Sequence, residues 1–259
     1  MTTASRTRKN RLALFTSALL FGAYITSAQA APLDLTGWSQ EGVPNGWDPS
    51  PSWVVDTSGT AVTQKTNTYP SFFASDFDSI TNLSDLSITL NTSYAGGDDD
   101  FVGFALGFNA GDSTNSNADY LLVDWKKTTQ TFNGSLATAG LAISHVTGAI
   151  DSYPAWSHSG NINELERATT LGNTGWQHGI DYIFDIDFTA TELNISVNGT
   201  NQFSMAGAFS NGGLAFYNFS QSVTAYQADA VMVSAPEQGI AFMLSLGLLG
   251  MALARKKIA

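Results

Sequence analysis

Large apolar residues recur at every second position through most of the middle of this chain. Leu86, Ile88 and Leu90 alternate with Ser87, Thr89 and Asn91. Val102, Phe104, Leu106 and Phe108 alternate with Gly103, Ala105 and Gly107, which predicts four large side chains on one strand face. Tyr182, Phe184, Ile186 and Phe188 oppose Asp181, Asp185 and Asp187, a strand with one apolar and one solvated face. Leu193, Ile195 and Val197 repeat the pattern and run into Asn198-Gly199. That dipeptide suits a two-residue hairpin turn, because both turn positions favour positive φ. Further apolar runs span 214–219 and 223–233. Clusters of Gly, Asn, Asp, Ser and Pro separate these segments, so the pattern predicts an all-β sandwich. The one stretch that offers a short helical turn is 163–170.

The two ends break this pattern. Arg6, Arg8, Lys9 and Arg11 precede an apolar run from Leu12 to about Ile25, followed by Ala28-Gln29-Ala30. A positive head, a short apolar stretch and a small-x-small site describe a secretory signal peptide, here 1–30. At the other end, Pro236-Glu237 leads into an apolar stretch from Gly239 to about Ala254, closed by Arg255, Lys256 and Lys257. The length predicts a short hydrophobic helix, marginal for a membrane span, with its cations on the cytoplasmic side. Segment 235–259 resembles the PEP-CTERM sorting signal, with Gln238 where that family usually has proline. The resemblance implies a sorting enzyme of the exosortase type, transient anchoring in the membrane, and delivery to the cell surface or extracellular matrix. A plain tail anchor is the alternative reading. Between the ends, 31–234 is of a length that suits one sandwich domain.

Charge narrows the partners. The formal net charge is -11, and of the basic residues only Lys65, Lys126, Lys127 and Arg167 lie between the two ends. A domain this acidic repels phosphate backbones, which excludes a nucleic-acid partner. There is no cysteine, so no disulfide staples the fold and packing must hold it. His145, His158 and His178 lack the short spacing of a zinc motif and read as surface or loop residues.

Asp98, Asp99 and Asp100 follow two glycines and lead into the strand that starts at Phe101. Three adjacent carboxylates repel one another, and Ca2+, which takes six to eight oxygens, is the cation that would offset this. A solvated acidic turn is the alternative. Asp76, Asp78, Asn109, Asp112, Asn115, Asn117 and Asp119 are further oxygen donors in nearby loops.

The strings DDDFVGFALGFN and DYLLVDWKKTTQTF resemble the thrombospondin carboxy-terminal domain. PSWVVDTSGTAVTQKTN upstream, and LAISHVTG, NTGWQHGIDYIF and GGLAFYNFSQSVTAYQADAV downstream, follow in family order. The resemblance implies a jelly-roll β-sandwich of the concanavalin or legume-lectin type, calcium bound by Asp98, Asp99 and Asp100, and adhesion to a glycan or a matrix protein. Trp125 and Trp176 match family tryptophans and read first as packing residues. Asp124 stands where the family is apolar.

A glycan hydrolase or lyase is a second reading, since jelly-roll sandwiches host both. Asp185 and Asp187 have the crude separation a glycosidase needs, yet no Glu-rich catalytic pattern accompanies them, so the sequence favours a non-enzyme. A structural matrix protein without a ligand is a third reading.

Overall fold

The computed structural model describes residues 29–43, 48–93 and 98–232. The signal peptide expected at 1–30, apart from its last two residues, and the sorting segment and helix expected at 235–259 lie outside the described residues. Among the described residues, no helix is long and apolar enough to cross a membrane.

In chain order the strands are β1 (Ala31–Pro32), β2 (Ser39–Gly42), β3 (Trp53–Val55), β4 (Ala61–Gln64), β5 (Ser71–Ala74) and β6 (Leu83–Thr92). Then come β7 (Phe101–Phe108), β8 (Asp119–Lys126), β9 (Gln130–Phe132), β10 (Ser135–Ala137), β11 (Gly140–Thr147), helix α1 (Ser152–Ser157) and β12 (Ile162–Arg167). The last five are β13 (Asp181–Phe188), β14 (Glu192–Val197), β15 (Thr200–Ala206), β16 (Gly213–Phe219) and β17 (Thr224–Met232).

Two large antiparallel sheets result, with β9 and β10 pairing separately as a two-stranded hairpin. The first runs β15-β14-β13-β6-β17-β4-β3, with β1 also on β17; the second runs β12-β11-β8-β7-β16-β5-β2. The order is far from sequential, as expected of a jelly roll, whose long connections cross between sheets. The Asn198-Gly199 turn joins β14 to β15 with φ of 48° and 75°, the two positive values the dipeptide predicted.

The main core lies between the sheets. Phe184 of the first sheet meets Phe104 of the second edge-on at 5.2 Å, and Tyr226 stacks on Phe216 at 5.0 Å. Such contacts add roughly 0.5–1.5 kcal/mol each beyond area burial. Trp125 and Trp176 are buried, each donating its indole N–H to a carbonyl, of Thr174 and Asp100 respectively. They are packing residues, as expected. The other face of the first sheet is solvated, with Asp181, Asp185 and Asp187 exposed.

The second sheet differs, because β7 and β16 are buried along their whole length. A second core covers its outer face, where Phe72, Phe101, Phe108, Tyr120 and Tyr217 pack under Ile150, Ala155 and Trp156. This corrects the single-faced reading of β7. Val102, Phe104 and Leu106 face the main core, but Phe108 belongs to the outer one. The cause is a bulge: Gly107 has φ +80°, and pairing with β16 steps from Leu106 to Phe108 across it. One extra residue inverts the alternation.

A second correction concerns the helix. Residues 162–167 are strand β12 on the edge of the second sheet, so the stretch expected to offer a helical turn, with Glu164 and Glu166, is mostly strand. The short helix is α1 instead. Asp151 caps its start by accepting from the Ser152 N–H at 2.6 Å, and Pro154 sits in the first turn, where its missing N–H costs nothing. His158 ends it in the left-handed region, at φ 46°.

Candidate functional site

The entrance to β7, the end of β8, the β9–β10 hairpin and α1 meet over the outer face of the second sheet. Phe101 pairs across strands with Lys126 on one side and Phe219 on the other. Of this row, Phe219 also lines the cleft described below. The Phe101 and Phe219 rings stack at 5.8 Å with planes 7° apart, and Trp156 of α1 meets each edge-on.

Lys126 is buried under these rings. Its side chain is 0% exposed, with Nζ 4.6 Å from the Trp156 ring centre and 5.3 Å from that of Phe101. The ammonium donates to Asp100 Oδ1 at 2.5 Å, to the Asp99 carbonyl at 3.0 Å and to Gln130 Oε1. Burial pushes the Lys126 amine down and the Asp100 carboxyl up; each partner's charge opposes that without cancelling it.

Above this pair opens a cleft of about 240 Å³. Trp156 and Phe219 line it, with Tyr153 and Phe132 on the rim. Phe132 is 54% exposed and Tyr153 is 49% exposed, and their rings stack at 6.3 Å with planes 20° apart. Gln130, Ser152 and Ser220 bring amide and hydroxyl groups to the wall, and Asp48 and Asp100 bring carboxylates. Apolar rings interleaved with a few polar groups are the usual make-up of a ligand site.

The three consecutive aspartates go to three different places. Asp98 accepts from Asn67 Nδ2 at 3.2 Å and from the Ser222 N–H at 2.9 Å, tying the segment to the loop after β16. Asp99 accepts from Gln130 Nε2 at 2.7 Å and from the Thr128 hydroxyl. Asp100 takes Lys126. Asp112, in the loop after β7, accepts from the Asn109 N–H at 2.8 Å and from Asn115 Nδ2 at 2.9 Å, so those residues close a turn.

A second ionic group lies beneath α1. His158, expected in a loop or on the surface, is only 11% exposed at its side chain. Its Nε2 reaches Asp124 Oδ2 at 2.9 Å and its Nδ1 reaches Glu164 Oε2 at 3.0 Å. Arg167 donates to the same Glu164 oxygen at 2.7 Å. Burial opposes the imidazolium, but the two carboxylates outweigh it and push His158 up to about 10. The hydrogen bond from His158 is the main reason that the Glu164 carboxyl lies below its ordinary range. This network fixes the C-terminal end of the helix that carries Tyr153 and Trp156.

The thrombospondin C-terminal region family matches residues 48–228. The chain belongs to that family. No curated protein matches it. Among solved structures it is similar to the carbohydrate-binding module CBM66 from Bacillus subtilis, at 12% identity over 74% of this chain and 92% of that one, TM-score 0.47. It is also similar to the VIP36 exoplasmic/lumenal domain in its Ca2+/Man3GlcNAc-bound form, at 12% identity over 81% and 92%, TM-score 0.46. The Caenorhabditis elegans galectin LEC-6 follows at 11% identity over 73% and 94%, TM-score 0.34.

For a member of the thrombospondin C-terminal family, the arrangement at 98–100 bears directly on calcium. Among the described residues, no group of three or more His, Asp or Glu side chains is set to hold a metal ion. As they stand, Asp98, Asp99 and Asp100 do not form one cage. Asp100, the Asp99 carbonyl and Gln130 give their oxygens to the Lys126 ammonium, so a calcium ion shared by the triplet would have to displace a buried cation.

Asp124 and His158 are the residues whose roles the sequence reading missed. The signal was present: Asp124 is one carboxylate inside the apolar strand Tyr120–Trp125, and a buried carboxylate needs a cationic partner. Which cation it would find, thirty-odd positions away, was not readable.

Proposed function

We propose that this chain is an exported glycan-binding module of the lectin-like kind, acting at the cell surface or in the extracellular matrix. The observation that carries the reading is the cleft built from Trp156, Phe219, Tyr153 and Phe132, with Gln130, Ser152, Ser220, Asp48 and Asp100 around it. Pyranose rings present an apolar C–H face and a rim of hydroxyls. Flat aromatic surface next to carboxylate, amide and hydroxyl groups matches both.

Binding is a better account than hydrolysis. A glycosidase sets two carboxyl groups across the scissile bond, roughly 5–9.5 Å apart. Of the two acids that line the cleft, Asp100 is held by Lys126. Asp185 and Asp187 project from the solvated face of the other sheet. Glycan binding in this reading is not routed through calcium, because Lys126 already supplies the cation beside Asp100. Export rests on the sequence patterns of 1–30 and 235–259, and fractionation of expressing cells tests it.

A glycan array probed with the purified chain tests the binding. The expected result is retention of at least one glycan class, lost in Tyr153→Ala. Retention that survives Tyr153→Ala would move the site elsewhere, and an array without any signal would sink the reading.

A further inference from the structure

Resting on the glycan-binding reading, we infer that Gln130 is a hydrogen-bond donor of fixed orientation in the cleft and that Asp99 is the positioning residue that fixes it. Gln130 lines the cleft at the start of β9. Its amide is gripped at both ends. Oε1 accepts from the Lys126 ammonium, and Nε2 donates to Asp99 Oδ1 at 2.7 Å. A free amide has two orientations of nearly equal shape. This one has a single orientation. Reversed, its NH2 would face the ammonium and its carbonyl the carboxylate, so donor would meet donor and acceptor would meet acceptor. One N–H is engaged by Asp99. The second is the donor that Gln130 has left for a ligand, and a sugar oxygen can accept from it.

Asp99 acts here through its side chain alone. One carboxylate oxygen takes Gln130, and the other accepts from the Thr128 hydroxyl. The carboxylate therefore bridges the turn that leads into β9 and the first residue of that strand. Phe132, two positions on, shares the strand face of Gln130, and both line the cleft. The resemblance to the thrombospondin family implies calcium at Asp99, but in this chain both carboxylate oxygens are occupied by the hairpin. Removing the side chain strands no buried charge. The Asp99 backbone carbonyl still takes Lys126 at 3.0 Å, and Asp100 still pairs with it at 2.5 Å. Asp99 is itself half-buried, so its loss bears on the orientation of Gln130 more than on the core.

Affinity electrophoresis of the full chain tests this, in gels cast with a neutral glucan, a neutral mannan, a polyuronate or chitosan. The polymer that retards the wild-type chain most is the probe. Asp99→Ala should weaken binding of the probe by about tenfold, the scale of one hydrogen bond lost to a ligand. Asp99→Asn keeps an acceptor for Nε2 and should restore most of the affinity. Gln130→Ala should lose as much as Asp99→Ala, and the double variant no more than either, because Asp99 acts through Gln130. Each loss should be the same with calcium and with chelator. Additive losses in the double variant overturn the inference, as does Asp99→Asn binding as poorly as Asp99→Ala. A loss in Asp99→Ala that disappears in chelator would make Asp99 a calcium ligand, and failure of Asp99→Ala to fold would make it a residue of the fold; either overturns the inference too. All four results leave glycan binding by the wild-type chain intact. No retardation of the wild-type chain by any of the four polymers overturns the inference together with the reading beneath it.

Discussion

Lys126 Nζ lies 2.5 Å from Asp100 Oδ1, with the lysine side chain wholly enclosed and the aspartate 11% exposed. A buried ion pair adds little over an apolar pair, but removing one partner strands the other's charge. Asp100→Ala should therefore destabilise the domain by about 3–5 kcal/mol, and the double replacement Lys126→Met with Asp100→Leu by less. Urea melts of the three proteins measure this. If Asp100 served calcium, the loss in Asp100→Ala would vanish in chelator. With Lys126 as its partner, the loss is the same with calcium and with chelator.

The network under α1 predicts how stability changes with pH. His158 has a folded value of about 10, above its ordinary 6.5, so its contribution is complete below about pH 6.5 and is gone once pH has risen through about 10. Glu164 is depressed, so its contribution is present above its ordinary range and fades as pH falls through the lowered value. Thermal melts from pH 4 to pH 11 should show a decline on the alkaline side. His158→Gln should flatten that limb; an unchanged limb would place the titration on another group.

Phe132 and Tyr153 are exposed at a rim, where truncation removes contact area for a ligand and little of the core. Phe132→Ala should change stability by no more than roughly 0.5 kcal/mol. Its affinity for whichever glycan the array identifies should fall by about tenfold, which corresponds to roughly 1.4 kcal/mol. Equal losses in stability and affinity would mean that the ring serves the fold.

Gly107 has φ +80°, and a Cβ there would meet the Ser210 carbonyl oxygen at 2.5 Å. Gly107→Ala should cost at least about 1–3 kcal/mol, the range for a residue forced into a conformation it avoids. Chemical denaturation checks the magnitude. A neutral result would mean that the bulge can be removed without moving Phe108.

The alternation of side chains by itself determined that this protein is a sandwich. Period two is a property of the strand backbone, so Leu86, Ile88 and Leu90, or Phe184, Ile186 and Phe188, had to share a face wherever the strands lay. It also placed the Asn198-Gly199 turn, because positive φ is a local preference. The sequence could not place Phe108, since the bulge at Gly107 exists only through pairing with Gly213 and Leu214 of β16. It could not divide the three aspartates, whose partners are Asn67 and Ser222, Gln130 and Thr128, and Lys126, all brought in from other segments. Nor could it assemble a cleft from Asp48, Gln130, Trp156 and Phe219. Local geometry repeats along the chain and can be read from it; a charge or a ring acquires its role from the neighbour the fold delivers, and only the tertiary structure decided that neighbour.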